Sequence, residues 1–330
     1  MRSLRRPALT PPTLRNDGAG GRAARRHREQ RAADPACKLS FKEHWNEPDV
    51  RGALHAMQGW VCAYCQCSIE PRDGGDVEHF RPKGGDDGAY WWLAYRLDNY
   101  LLACPTCNER LKRELFPVRD GRRAAGPDDD VEVVEHRLLI DPARDGAAVE
   151  EWFVVDVLDA KCRVIPAPSG APEHPMRERV ERTAVLFALN SPDALRPRIR
   201  LRNKVIDLHK AGDRETLRRL AGRYQPWSST ALEALRTFAP RYPLPSHEDD
   251  LRLLLEQMLE RIDLGMRMHQ LGVLDDVGRR SLTLLQWTLA WLWADPPTGD
   301  ASLVERWLDA NNLRPWVEPL RDRLLAAPSP

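Results

Sequence analysis

The sequence predicts an α+β protein, and three observations carry that prediction. Two Cys-x2-Cys pairs, Cys62/Cys65 and Cys104/Cys107, frame a segment crowded with aromatic residues. β-Branched runs lie either side of Asp159-Ala160-Lys161, the pattern of a hairpin. From Met176 onward apolar residues recur at helical spacing almost to the end of the chain. The expected organisation has four parts: a basic, disordered arm at 1–38, a metal-bearing module at 39–120, a loop and β-hairpin extension at 121–175, and a mainly α-helical region at 176–330.

The chain has 330 residues, 42% hydrophobic and 30% charged, a globular balance with ample core for one large domain or two smaller ones. Its formal charge of +1 is unevenly spread. Residues 1–38 hold ten Lys/Arg against Asp17, Glu29 and Asp34, a net +7 that leaves −6 on residues 39–330. A basic arm on an acidic body suits contact with a polyanion, and a solvated tail with no partner fits the same composition. The opening "MRSLRRPALTPPTLRNDGAGG" has charge and proline but no apolar core of a secretory signal. The longest apolar run, Leu282 to Ala294, is too short for a membrane span and contains Gln286. A cytoplasmic, non-membrane protein is expected, with its seven cysteines reduced and its close pairs binding metal.

Within the module, "FKEHWNEPDVRGALHAMQG" (41–59) spaces Val50, Leu54 and Met57 for a helix leading into the first cysteine pair. "GRRAAGPDDD" (121–130) reads as a loop, "VEVVEHRLLID" as a strand, and "EEWFVVDVLDAKCRVIPA" as the hairpin, ended by "PSGAPEHP". The helical region breaks at "NSPDALRP", "FAPRYPLPSHED" and "ADPPTGDAS", with Asp249 and Asp250 near a helix start. Its tryptophans (Trp227, Trp287, Trp291, Trp293, Trp307 and Trp316) belong mostly to the core, and any left exposed would form a docking surface.

Cys62, Cys65, Cys104 and Cys107 have the spacing of a tetrahedral Zn²⁺ site, since a two-residue spacer lets a tight turn aim both sulfurs at one ion. Thirty-eight residues separate the pairs, more than in a simple ribbon, so a segment is inserted between the two halves. Cys67 is a spare or alternative ligand, while Cys37 and Cys162 are unpaired thiols. A four-cysteine zinc has no open position, so any chemistry must come from the insert. There, Glu78-His79 end a strand-like "GDVEHF", Asn99 opens "NYLLAC", and Asn108 follows the last cysteine. "PTCNERLKREL" reads as a helix with Pro105 at its first position and Pro117 as its stop. The layout is strand, loop, strand, helix.

The order "CAYC", "EHFRPK", "DNYLL", "CPTCNERLK", over roughly residues 58–113, resembles the HNH endonucleases and their ββα-metal fold. More loosely, "MRSLRRPALTPPTL", "EHFRPK", "EHRLLIDPARD" and "LFALNSPDALRPRIR" resemble the PtuB-type nucleases of Septu and retron anti-phage systems; nothing beyond about residue 235 carries either resemblance. The resemblance implies metal-dependent hydrolysis of DNA to 5′-phosphate and 3′-hydroxyl ends, and a Septu-type ABC or SMC-like ATPase as partner. RNA stays open as a substrate.

His79 is the candidate base, because imidazole titrates near neutral pH. By resemblance Asn99 holds the loop or the His79 ring, while Asn108 and Glu78 bind one Mg²⁺ or Mn²⁺ through oxygen. Members of the family often have Asp where Glu78 stands. Arg81, Lys83 and Lys112, the last one turn beyond Asn108, are candidate phosphate contacts. Taken singly, His79, Asn99 and Asn108 would be ordinary polar residues; their joint placement between two cysteine pairs favours a nuclease. A non-catalytic zinc-knuckle binding module and a free-standing nuclease are the alternatives.

Overall fold

A computed structural model describes residues 1–69, 74–84, 90–121, 123–168 and 174–326. Residue 122 of the expected loop and residues 169–173 of "PSGAPEHP" lie outside the described residues. The first correction concerns residues 1–38, which are folded onto the body rather than forming a disordered arm. After a 3₁₀ turn at Pro12–Leu14 comes α1 (Ala19–Ala33), whose buried residues are Gly20, Gly21, Ala23 and His27. Glycine and alanine supply its inward face, so the leucine-type periodicity that marks a packed helix is missing from the sequence. A Cβ at Gly21 would sit 2.0 Å from the Arg15 carbonyl oxygen, which shows how closely the backbones approach. Further ties come from Thr13, whose N–H and hydroxyl both donate to the Asp49 carboxylate at 2.8 Å. Arg6 donates to the carbonyls of Leu97 (3.0 Å) and Tyr100 (2.9 Å).

α2 (Pro48–Gln58) starts with proline at its first position and stops at Gly59, whose φ of +67° suits glycine. β1 (Asp76–His79) and β2 (Tyr100–Ala103) then pair antiparallel, with Asp76 opposite Ala103 and His79 opposite Tyr100. A widely wound helix at Thr106–Lys112 follows, so strand, strand and helix come in the expected order. It ends at Lys112 rather than at Pro117, because Arg113 turns into positive φ (+51°).

The expected strand "VEVVEHRLLID" is corrected as well. Its first residues form the single-turn α3 (Val131–Val134), started by Asp130, whose carboxylate accepts from the Glu132 N–H at 3.0 Å. A side-chain cap here outweighs the β-propensity of three valines. α4 (Ala147–Trp152) leads into β3 (Phe153–Val155), which pairs antiparallel with β4 (Val164–Pro166).

Eight helices follow: α5 (Pro175–Leu186), α6 (Pro192–Ala211), α7 (Arg214–Ala221), α8 (Ser228–Phe238), α9 (His247–Gln270), α10 (Asp276–Ala294), α11 (Ser302–Ala310) and α12 (Arg314–Leu325). α9 opens with a reciprocal capping box between Ser246 and Asp249. The molecule is thus α+β and mainly helical, with small antiparallel sheets. Among the described residues no helix is long and apolar enough to cross a membrane.

The hydrophobic cores do not follow the four expected parts. One core joins Val50, Leu54, Tyr64, Leu102, Trp152, Val180 and Leu235. The other joins Ala53, Ala56 and Trp60 of the cysteine module to Trp287, Trp291 and Trp293 of α10. α2 is shared because its opposite faces are both apolar: Val50, Leu54 and Met57 look one way, Ala53 and Ala56 the other. The Trp291 indole N–H donates to the Asp49 carbonyl at 2.8 Å, joining α10 to the first turn of α2. Of the six tryptophans, Trp287, Trp291 and Trp293 are buried in the core, while Trp227, Trp307 and Trp316 are half-buried. Removing residues beyond about 240 would strip α10 from α2 and disturb the cysteine module too.

Gly52 faces α10, where an added Cβ would lie 2.7 Å from Trp287 Cβ and 3.0 Å from its carbonyl carbon. Gly52→Ala is expected to cost about 1–3 kcal/mol through this overpacking. Denaturant unfolding followed by tryptophan fluorescence would show a lowered midpoint, and an unchanged midpoint would contradict the close packing of α2 on α10.

Candidate active site and metal centre

Two short turns bring the four cysteines together. In the first, the Cys62 N–H donates to the Cys67 carbonyl (3.0 Å) and the Gln66 N–H to the Cys62 carbonyl (3.1 Å), with Gln66 at φ +64°. The Trp227 N–H donates to the Gln66 carbonyl at 2.9 Å, so the start of α8 buttresses this turn. In the second, β2 delivers Cys104, and the helix Thr106–Lys112 carries Cys107 back over it. Gln58 links the two by donating to the Leu102 carbonyl (3.1 Å) and accepting from the Leu102 N–H (2.9 Å).

The Sγ atoms of Cys62, Cys65, Cys104 and Cys107 all lie within 4.8 Å of one another, and Cys65 and Cys104 are 3.8 Å apart. A tetrahedron with metal–sulfur bonds of about 2.3 Å has edges of roughly 3.8 Å, so this cluster can hold a metal ion such as zinc. Hydrogen bonds among the thiols push the Cys104 pKa down through Cys107, and push those of Cys107 and Cys65 up through Cys104.

Between the pairs, Asn99 is a structural brace. Its Oδ1 accepts from the Arg81 N–H (2.8 Å), and its amide donates to the carbonyls of Arg81 (2.9 Å) and Leu93 (3.3 Å). This clamps the chain just after His79 against the segment that carries Ala94. The His79 Nε2 lies 3.0 Å from the Ala94 carbonyl oxygen. A carbonyl can only accept, so Nε2 carries the proton and Nδ1 keeps its lone pair. The ring stands edge-on to Trp45 (4.8 Å) and Tyr100 (5.0 Å), and the Tyr100 hydroxyl donates to the same carbonyl. Burial, followed by the nearby charge of Lys83, lowers the His79 pKa to about 3, so the imidazole is neutral at pH 7.

On the other face of β1 stand Asp76 and Glu78, by strand alternation. Glu78 Oε1 lies 2.5 Å from Lys112 Nζ without a directed hydrogen bond, and both side chains are buried. Burial holds the Glu78 carboxyl above its ordinary range, opposed by Lys112. Lys112 Nζ also donates to the His79 carbonyl at 3.0 Å, tying the helix to the end of β1. Asn108 Nδ2 donates to Asp76 Oδ2 at 3.2 Å. Asp76, Glu78 and Asn108 therefore offer hard oxygen donors from two elements held together by the cysteine turns. Among the described residues, the hydrogen-bond and ring contacts of the His79 side chain are to Ala94, Trp45 and Tyr100, not to Glu78 or Asn108.

The chain is 33% identical over 113 residues to the Septu protein PtuB of Bacillus mycoides (strain KBAB4). That match covers 31% of this chain and 38% of the relative, so well under half of either protein takes part. No protein-family model matches the chain, and no solved structure matches it.

Two of the three expected phosphate contacts are corrected by burial. Arg81 is only 2% exposed and pairs with Glu135 (3.0 Å) and Glu132 (2.8 Å). Lys112 is fully buried on Glu78. Both charges are engaged by carboxylates inside the fold. Lys83 alone stays partly exposed, its ammonium 4.5 Å from the Trp45 ring centroid. Sequence reading missed Asp76, two residues before Glu78 and so on the same strand face, a period-two signal that could have found it. It also missed Glu132 and Glu135, which neutralise Arg81 from far along the chain.

Replacing Cys62 or Cys107 by Ser should cost bound metal and stability together, because metal affinity in such clusters is largely folding free energy. Elemental analysis and thermal unfolding of the same samples test this; full metal content in either variant would remove that cysteine from the cluster.

Stability should depend on pH through the buried histidines. His55 donates from Nδ1 to the Gly59 carbonyl (3.0 Å), and burial lowers its pKa, like that of His79, to about 3 from 6.5. The unfolded chain then binds more protons than the folded one across that window, so stability is complete above about pH 6.5 and lost as pH falls toward about 3. Each histidine contributes on the order of 2 kcal/mol to the difference between pH 7 and pH 5. Glu78, with its raised pKa, works in the opposite sense. Denaturant unfolding at both pH values should show a smaller difference in His55→Gln than in the parent; equal differences would mean that His55 stays charged in the fold.

Proposed function

We propose that this chain is a metal-dependent DNA endonuclease of the HNH type, acting as the nuclease subunit of a Septu-type anti-phage defence system. The observation that carries this reading is the held, neutral His79: Nε2–H is spent on a carbonyl, Nδ1 is unspent, and the residue sits on a strand whose opposite face offers Asp76, Glu78 and Asn108. The similarity to the Septu protein PtuB supports the defence assignment, and with it a Septu-type ATPase as partner.

In this reading the four-thiol cluster holds structural zinc and has no open position for water. The hard oxygens of Glu78, Asn108 and Asp76 are of the kind that would hold a Mg²⁺ or Mn²⁺ ion, with Glu78 shared between the ion and Lys112. When bound, the ion supplies charge stabilisation at the scissile phosphate and the leaving oxygen. His79 Nδ1 takes the proton of the attacking water, while the Ala94 carbonyl fixes the tautomer and stabilises the imidazolium that forms. An anionic phosphate beside the ring raises the His79 pKa from its depressed value toward the working pH. Asn99 keeps the loop after His79 in register.

A second reading has support of its own. Glu78 is engaged by Lys112, and strand alternation turns His79 to the face opposite Glu78. Both features suit a zinc-knuckle module that binds nucleic acid or protein without cleaving.

Cleavage assays on plasmid, single-stranded DNA and RNA, with and without Mg²⁺ or Mn²⁺, separate the readings. His79→Ala is expected to lower the cleavage rate by ~10²–10⁴-fold with metal content and fold unchanged. Parental cleavage rates in purified His79→Ala would displace the active site, and full zinc occupancy with no cleavage under either ion would establish the binding module.

A further inference from the structure

The outer side of α1 is a guanidinium surface. Arg22, Arg25, Arg26 and Arg28 are exposed, and the first three share one face by their three- and four-residue spacing. Arg31 lies over the Trp91 ring at 5.9 Å. None of these five arginines pairs with a carboxylate among the described residues; Arg22, Arg25 and Arg31 donate to the backbone carbonyls of Asp17, Asn16 and Pro35. Glu29 is the acidic residue on this helix. Elsewhere many arginines are consumed, with Arg81, Arg137, Arg179 and Arg223 all in ion pairs. The exposed ones without an ion pair among the described residues, such as Arg200, Arg241 and Arg306, are scattered over separate segments.

α1 is also joined to the candidate base. His27 on its inner face lies 5.7 Å from Tyr95, Tyr95 lies 5.9 Å from Trp45, and Trp45 lies 4.8 Å from His79. Exposed Lys42 and half-buried Lys83 flank these rings, Lys83 against Trp45 itself. Lys83 over Trp45 thus places a cation beside the ring that meets His79, on a body that is net acidic beyond residue 38.

We infer that the exposed arginine face of α1 holds the sugar-phosphate backbone of a nucleic acid and feeds it toward His79. This rests on the nuclease reading for its destination, though not for the binding itself. Unpaired guanidiniums at regular spacing suit a repeating phosphate polyanion. A membrane surface is the poorer fit, since the exposed residues of α1 between Arg22 and Ala33 include no large apolar side chain to insert.

The test is binding of the full chain to a labelled short DNA duplex and its RNA counterpart, by fluorescence anisotropy over a salt series without divalent ions. Four proteins are compared: the parent, a charge-reversed set (Arg22→Glu, Arg25→Glu, Arg26→Glu, Arg28→Glu), the corresponding lysine set, and a control on α6 (Arg200→Glu with Lys204→Glu). The charge-reversed set should bind at least ~10-fold more weakly at low salt, with a salt slope on the DNA duplex smaller by about 3.6 for four lost phosphate contacts. The lysine set and the α6 control should stay close to the parent, with circular dichroism and metal content unchanged. Should the charge-reversed set fail to fold, Arg25→Gln and Arg26→Gln carry the test singly, each reducing the slope by about 1. Parental binding in the reversed set, an equal loss in the α6 control, or failure of the parent to bind either duplex overturns the inference. Cleavage with Mg²⁺, measured on the same samples, keeps the two readings apart. Weakened binding by the reversed set with an inert parent retains the surface and removes the nuclease; undiminished cleavage by the reversed set retains the nuclease and removes the surface.

Discussion

Four cysteine sulfurs held within 4.8 Å of one another are the constraint on which the segment around His79 depends. They join the turn after α2 to the end of β2 and the start of the following helix, three segments with little regular structure of their own. β1 and β2 pair over only four residues each, too short to be stable as an isolated hairpin. The cluster fixes where the helix Thr106–Lys112 begins, and hence where Asn108 meets Asp76 and Lys112 meets Glu78. It is a local clamp whose consequences reach one helical turn further along.

The clamp does not act alone. α2 has apolar residues on both faces, so it serves as a common wall for two cores, one built on the cysteine module and β-hairpin, the other on the tryptophans of α10. The buttress from Trp227 to Gln66 and the indole bond from Trp291 to Asp49 show the same coupling in polar form. A site of short strands gains rigidity from helices far away in sequence.

Charge follows a division of labour set by burial. Arg81 and Lys112 lie in the motif segment and look from sequence like surface contacts, yet each ends in a buried ion pair that sets the position of the chain around His79. Breaking such a pair leaves an uncompensated buried charge, so these residues belong to architecture. The arginines of α1, in the stretch expected to be disordered, face solvent instead.

The cysteine spacing, the order of His79, Asn99 and Asn108, the hairpin around Asp159-Ala160-Lys161 and the leucine periodicity of α9 were legible in the sequence, because each is a local pattern whose geometry follows from neighbouring residues. α1 was not legible, since glycines and alanines packing against a wall give no hydrophobic period. The turn at Val131–Val134 escaped because one capping carboxylate outweighed the valines. Which charges are spent inside and which remain free depends on partners such as Glu132 and Glu135, some fifty residues from Arg81. The sequence by itself determined the cluster and its chemistry; tertiary structure alone decided the orientation of His79, the burial of Arg81 and Lys112 and the exposure of α1, because desolvation and ion pairing are properties of contacts made across the chain.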